Sequence, residues 1–453
     1  ESDLILNAGF TEGYKNTSET KKSGNKNHFF SQFVKKFKGK KGSDNEFKLS
    51  LQKVSNKKYL KLYKIKNNLV DYQNDRLENS LNFSHENEDL FFGLQASAYE
   101  DLTENNTSDE YEYILPDIIF DKNLFSSNKY GYADLQSNLI FHNYDTNKFT
   151  KFFINDIDWK YNQINYQSGL KGRVLGKLKN VNYEAKNTSI YKNDTTHEVF
   201  GAIGYLSEIN LFKKISENSK SFLTPKMLLR YAPGHMREET DKTRLSHSNV
   251  FTLDRLNTNK NFESGLSTTL GFDYELEEST RKLDFSIAQI INEKENKDMP
   301  SSSSLDQRFS DVVGHSQLEM NDNIKLSYNF AVDQNYEQLN YNELGVNLDF
   351  NPIKFDINYL QEKEHVGDQE YFKGKINFAP NEYALFSAET KRNLITNSAE
   401  YYNLSYEYTN DCLRAGLVYR REFYNDSELE PEDSLMFKIT LTPFGNINSP
   451  SFN

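Results

Sequence analysis

Few side chains in this 453-residue chain are spaced for catalysis. The eight histidines are scattered, and none falls in an HExxH or comparable ligand spacing, so no metal site is expected. Serine, histidine and aspartate all occur, yet nothing marks one serine as a nucleophile beside a base. No glycine-rich loop is built to cradle a phosphate. The chain therefore reads as a non-enzyme with no catalytic, cofactor-binding or metal-binding residue. Cys412 is the single cysteine, which excludes an internal disulfide. It is either a small lipid- or core-facing residue or a thiol bonded to a cysteine outside this chain. Lys35, Lys36, Lys38, Lys40 and Lys41 surround Phe37, as a solvated loop or as a basic patch for lipid phosphates. The acidic tract Asn425 to Asp433 reads as a solvated turn, or as carboxylates that share divalent cations with such phosphates. Pro443 has no amide hydrogen, so it either ends a strand or weakens a seam where the last strand meets the first.

The elements that position these groups are strands. From Ser434 to Thr442, Leu435, Phe437, Ile439 and Leu441 point one way while Met436, Lys438, Thr440 and Thr442 point the other. That period of two makes one apolar and one mainly polar face. Similar alternation runs through Phe47-Leu49-Leu51, Leu135 to Phe141, Leu283-Phe285-Ile287, Ile324 to Val332, Leu344 to Phe350, Ile353 to Tyr359 and Phe372 to Phe378. The polar positions between them suit the wet face of a sandwich or the lumen of a barrel equally well. Composition and length separate the two. Aromatics reach 14%, with 29 Tyr and 33 Phe, although mean hydropathy is −0.79. Half-lipid, half-water strands produce that mixture, whereas disordered chains are poor in aromatics. About 22 strand candidates, most about 9–12 residues long, match the length that crosses a bilayer at a tilt. Asn321-Asp322-Asn323, Asn351-Pro352 and Pro380-Asn381 read as tight turns. Asn16 to Asp44, Met236 to Asn249 and Asn292 to Arg308 read as long, polar, mobile connections. No stretch reaches the apolar length of a membrane helix. A net charge of −12, from 54 basic and 66 acidic residues, argues against a nucleic-acid binder. The expectation is one all-β domain over 1–453, a large antiparallel transmembrane β-barrel.

Several stretches resemble one family, the lipopolysaccharide-assembly protein LptD, in its C-terminal barrel. They are Tyr111 to Pro116 (YEYILP) with Asp117-Ile118 and Gly131, then Leu223 to Arg237 (LTPKMLLRYAPGHMR). Phe251 to Gly265 (FTLDRLNTNKNFESG) and the closing segment Asp411 to Gly445, with Cys412, complete the set. The resemblance implies an outer-membrane protein of a Gram-negative cell with a barrel of about 26 strands. It also implies a periplasmic jelly-roll and first barrel strands outside this chain, which then reads as a fragment. Lipopolysaccharide would cross the lumen and leave for outer-membrane lipid between the first and last strands. Ser434, Leu435, Met436, Phe437, Lys438, Ile439, Thr440, Leu441, Thr442 and Pro443 would form the C-terminal side of that gate. The partners implied are the lipoprotein LptE as a plug and the periplasmic Lpt bridge through the N-terminal domain. Cys412 would bond to an N-terminal cysteine. The other reading is a different large outer-membrane barrel, such as a TonB-dependent receptor, and a third is a secreted β-repeat protein.

Overall fold

The computed structural model describes residues 1–11, 26–39, 42–63, 65–72, 74–103, 111–145, 147–423, 433–441 and 445–448. Strands dominate it: β1 (Ser2–Thr11), β2 (Lys26–Lys38), β3 (Asp44–Val54), β4 (Arg76–Asn87), β5 (Leu90–Asp101), β6 (Tyr111–Ser127), β7 (Gly131–Asp145), β8 (Lys148–Lys160), β9 (Ile164–Asn165), β10 (Leu170–Lys186), β11 (Thr196–Ile209) and β12 (Leu211–Ser216). They continue as β13 (Ser219–Ala232), β14 (Gly265–Glu278), β15 (Arg281–Asn292), β16 (Val312–Met320), β17 (Ile324–Val332), β18 (Leu339–Phe350), β19 (Ile353–Glu362) and β20 (Gln369–Asn381). The series ends with β21 (Ala384–Asn393), β22 (Ser398–Thr409), β23 (Leu413–Glu422), β24 (Asp433–Leu441) and β25 (Gly445–Asn448). Among the described residues the one α-helix is the single turn α1 (Tyr59–Leu62). The strands form two compact units, one built on 1–160 with 177–200, the other on 161–176 with 201–425 and 430–453.

In the first unit each strand from β1 to β8 pairs antiparallel with the next, and β8 with β10. The register aligns apolar side chains across strands. Phe47 lies opposite Phe83, Phe83 opposite Leu94, Leu94 opposite Ile118, Ile118 opposite Leu139, and Leu139 opposite Phe153. Polar residues fill the other face, as where Gln32 lies opposite Ser50 and Ser50 opposite Ser80. Pro116 sits inside β6 because the ladder slips between Ile114 and Asp117 on both sides. A bulge there removes the need for the donor proline lacks. The connection 55–75 folds over the polar face and closes a small core of Phe30, Tyr59, Leu60, Val70, Tyr72 and Leu77.

The second unit repeats the pattern from β13 to β24. A row of paired residues runs Leu276, Leu283, Leu318, Leu326, Val346, Ile357. A second runs Phe386, Tyr406, Leu417, Phe437, and all four are exposed. The first row is partly exposed and the second exposed, and an apolar face of this extent is stable against lipid rather than water. Connections alternate between the two ends of the strands. Residues 279–280, 321–323, 351–352 and 410–412 turn at one end, while 233–264, 293–311, 333–338 and 363–368 cross at the other. Asn321 takes the left-handed conformation (φ 49) that its short turn needs and that asparagine tolerates.

Four expectations change. The stretch Asn16 to Asp44 is not one long connection, because β2 lies within it. Lys35, Lys36, Phe37 and Lys38 are strand residues there, opposite Phe47, Glu46, Asn45 and Asp44; Lys40 and Lys41 lie outside the described residues. Met236 to Asn249 and Asn292 to Arg308 are long but not loose, since Leu245, Val250, Met299 and Leu305 are buried against Ala288, Ile290 and Val313. Ser434–Pro443 is not the final strand: β25 pairs with Lys438–Leu441 on β24. The described part of β24 runs to Leu441, and Thr442, Pro443 and most of Asn425 to Asp433 lie outside the described residues.

Placing lysine at Ile357, Phe355 or Leu348 on the bare face should cost about 2–4 kcal/mol of folding into bilayers near the midplane. Lysine at Asn358, on the opposite face, should cost far less. Folding titrations in lipid vesicles check the assignment, and equal costs for the two faces would reject it.

Candidate functional site

Alternation along β13 sends Leu228, Arg230 and Ala232 to the polar face and leaves Leu229 and Tyr231 bare. Arg230 is thus carried inward at the end of the strand, beneath the connection 233–264. There its guanidinium is met by backbone: Nε donates to the Leu253 carbonyl at 2.7 Å and Nη2 to the Glu263 carbonyl. The Arg255 side chain closes the knot, with Nε donating to Glu263 Oε2 at 2.6 Å and Nη2 to Oε1. Arg255 Nη2 also donates to Ser267 Oγ at 3.1 Å. Arg230, Arg255 and Glu263 are all buried. Two cations and one carboxylate are expensive to desolvate, and only such dense hydrogen bonding makes the burial tolerable. Gly265, at φ 114, turns the chain from this knot into β14 without a Cβ penalty.

A second tie lies further along the same connection. Arg244 donates to Glu362 at the end of β19, Nε to Oε1 at 3.0 Å and Nη2 to Oε2 at 2.6 Å, and its guanidinium stands 4.4 Å over the Tyr341 ring. Glu362 also accepts from Gln369 Nε2 at 3.0 Å. The connections 293–311 and 363–368 are joined by His365, whose Nε2 lies 2.9 Å from Asp311 Oδ2. Asn340 Nδ2 donates to the same oxygen at 2.8 Å. Between connection and sheet lie two cavities. One, about 530 Å³, is lined by Arg244, His247, Asn249, Arg255, Asn329 and Tyr341. The other, about 400 Å³, is lined by Lys226, His247, Asp273, Glu275, Asp284 and His315. Closer to the short turns the same face carries ion pairs, among them Lys282–Glu275 at 2.9 Å and Lys325–Glu319 at 3.2 Å. Such a surface offers hydrogen-bond donors and acceptors of both signs to a polar ligand.

Burial pushes the Glu263 carboxyl up, but the Arg255 and Arg230 guanidiniums outweigh it and hold it below the ordinary glutamate value. Burial pushes the Lys260 ammonium down, against the pull of Asp241 and Glu239.

The two central motif stretches of the sequence meet in this knot, since Arg230 belongs to Leu223–Arg237 and Leu253, Arg255 and Glu263 to Phe251–Gly265. Sequence reasoning missed their mutual role. One signal was available, an arginine inside the apolar run Leu228-Leu229-Arg230-Tyr231-Ala232. Cys412 lies in the turn between β22 and β23, exposed, its amide donating to Asn410 Oδ1 at 3.0 Å. Leu413 pairs with Leu441, so Cys412 is placed at the C-terminal end of β24. Leu435 and Phe437 are exposed on the bare face, opposite Tyr419 and Leu417. The residues of β24 and Cys412 do not meet the buried knot in any contact of the described residues.

The family model described as LptD: LPS transport system D matches residues 31–403. No curated protein matches the chain. The matched span holds the knot, the cavities and both motif stretches, and it ends before Cys412 and β24.

Replacing Glu263 with alanine should strand two buried guanidiniums and cost about 3–5 kcal/mol. Because Glu263 is held below its unfolded value, its contribution is complete above about pH 4.3 and disappears as pH falls through the lower folded value. Thermal unfolding of wild type and Glu263→Gln across pH checks both statements. The variant should lose part of the acid-limb slope, and an unchanged slope would reject the assignment.

Proposed function

Because the chain belongs to the LptD family, which transports lipopolysaccharide to the outer membrane, we propose that it is the barrel through which the lipid's sugar portion crosses. In this reading residues 1–453 form one barrel domain, the polar face lines its lumen, and the bare apolar rows face outer-membrane lipid. The observation that carries it is the split of faces across the matched residues: Leu318, Leu326, Val346 and Ile357 on one side, and Glu319, Lys325, Asn347 and Asp356 on the other. A saccharide needs the second surface and acyl chains need the first. Family membership also favours this reading over a TonB-dependent receptor.

The finer proposal is a lateral gate. A fully hydrogen-bonded wall releases acyl chains to the bilayer only through a parted seam. We place its C-terminal side at Ser434–Pro443. Since β25 pairs with Lys438–Leu441, parting would begin at Ser434–Phe437. The lumen plug would be the lipoprotein LptE, the periplasmic Lpt bridge would deliver lipid through an N-terminal domain, and Cys412 would bond to a cysteine of that domain. The exposure of Cys412 on a short turn supports the last point.

A disulfide engineered between Phe437→Cys and the first barrel strand should stop delivery of lipopolysaccharide to the cell surface and release it on reduction. Undiminished delivery would remove the gate from β24. In the mature protein Cys412 should resist alkylation until reduced, and prompt labelling would dismiss the bond.

A further inference from the structure

We propose that the apolar face of the first unit carries a docking surface for anionic phospholipid headgroups, built on Lys35 and Lys122. It lies at the end where β4 turns into β5 and β6 into β7. The basic cluster around Phe37 is divided by the pleat of β2. Lys36 and Lys38 point to the polar face and are ion-paired there, with Glu46 at 3.4 Å and Asp44 at 2.5 Å. Lys35 and Phe37 point to the apolar face. On that face Lys35 lies opposite Ser2 and Phe47, and between Phe33 and Phe37 along its own strand. Lys122 of β6 is set the same way, opposite Leu90 and Leu135 with Phe120 before it. Both lysines are exposed, and among the described residues neither makes an ion pair.

Their place on the face selects the partner. β2 ends at Lys38, three residues past Lys35, and β6 at Ser127, five past Lys122, so both ammonium groups lie near one rim. At the opposite rim lysines of the same face have carboxylates. Lys53, opposite Phe29, stands 2.9 Å from Glu100, and Lys151, opposite Phe141, stands 3.2 Å from Glu184. The protein balances these lysines itself, whereas Lys35 and Lys122 are positive charges set among apolar side chains. A lysine so placed lays its methylene stem along the apolar surface and lifts its ammonium to the membrane–water boundary. The anion it meets there is a lipid phosphate.

Trp159 marks that boundary. It follows Ile157 on the same face of β8, opposite Ala133, and its indole donates to the Tyr130 carbonyl in the β6–β7 turn at 2.9 Å. Aromatic side chains with one apolar and one polar end take this position at a membrane interface. A headgroup with net negative charge matches the two lysines, while a zwitterionic one brings its own cation to the site. The inference rests on the reading that the apolar rows face lipid, and it names the lipid that gathers at one rim.

Trp159 is the single tryptophan of the chain and lies two strands from Lys122, so its fluorescence reports the lipid beside that lysine. The test places the full chain in phosphatidylcholine bilayers containing phosphatidylglycerol, with bromine on the acyl chains of one lipid or the other. At matched mole fraction, brominated phosphatidylglycerol should quench Trp159 more strongly, corresponding to a local enrichment of about fivefold, and high salt should remove the excess. Lys122→Gln should abolish the enrichment but keep quenching by brominated phosphatidylcholine, which shows that the variant is still seated in the bilayer. In a Trp159→Phe background, Phe37→Trp reports on Lys35, and Lys35→Gln should abolish the enrichment there. Lys36→Gln, on the polar face, should leave it unchanged. Equal quenching by the two lipids would overturn the inference and leave the lipid-facing reading intact, as would an enrichment lost to the same degree in Lys36→Gln. Absence of quenching by either lipid would overturn the lipid-facing reading itself, and this inference with it.

Discussion

Everything in this molecule depends on the antiparallel register that keeps side chains of one kind on one face of the sheet. A slip of one residue in any hairpin would send an entire apolar set to the polar side. The pairings prevent this continuously: Leu318 opposite Leu326, Leu326 opposite Val346, Val346 opposite Ile357. Short turns pin the register; at Pro116 a bulge takes up a shift of the ladder on both sides of β6, while Pro225 keeps its place in β13 opposite Phe272. Main-chain hydrogen bonds are satisfied within the sheet, the condition for a wall that meets hydrocarbon.

The polar face is not uniformly wet. Near the long connections it changes character, and Ala288, Ile290, Val313, Ala331 and Leu360 form a dry patch that the connections cover with Leu245, Val250, Met299 and Leu305. Each buried aliphatic side chain contributes about 1.5–3 kcal/mol, so the connections behave as folded parts of the wall. The charged ties give them a defined position. Arg230, Arg255 and Glu263 meet in one place only when two segments more than twenty residues apart approach in one geometry. Such a knot specifies a conformation at a desolvation cost that hydrophobic packing would not carry.

This arrangement divides the polar face into two zones. Toward the short turns it is an open surface of mixed ion pairs, Lys282–Glu275 and Lys325–Glu319 among them. Toward the long connections buried side chains and charged ties fill much of it, and cavities remain beside Arg244, Lys226 and Arg230. In a family that moves an amphiphile with a large polar part, an unfilled mixed-charge surface and a filled, tied one are suited to different tasks, passage and closure.

Period-two alternation, aromatic content and the scarcity of proline within strands were enough to read an all-β antiparallel wall from the chain alone, because those signals are local. Leu344 to Phe350 and Ile353 to Tyr359 are strands in any context that gives them one apolar neighbour. The motif stretches around Arg230 and Arg255 were legible as family features for the same reason, but their meeting was not. Arg244 finds Glu362 across 118 positions, and His365 finds Asp311 across 54. No local pattern encodes such partners, since each side chain taken singly looks like an ordinary surface charge. The strand β2, hidden in a lysine-rich stretch read as a connection, and β25, folded back on β24, likewise needed a neighbouring ladder to become visible. Tertiary structure alone decided which polar residues are buried, because burial of a charge is settled by the partner that arrives and not by the charge itself.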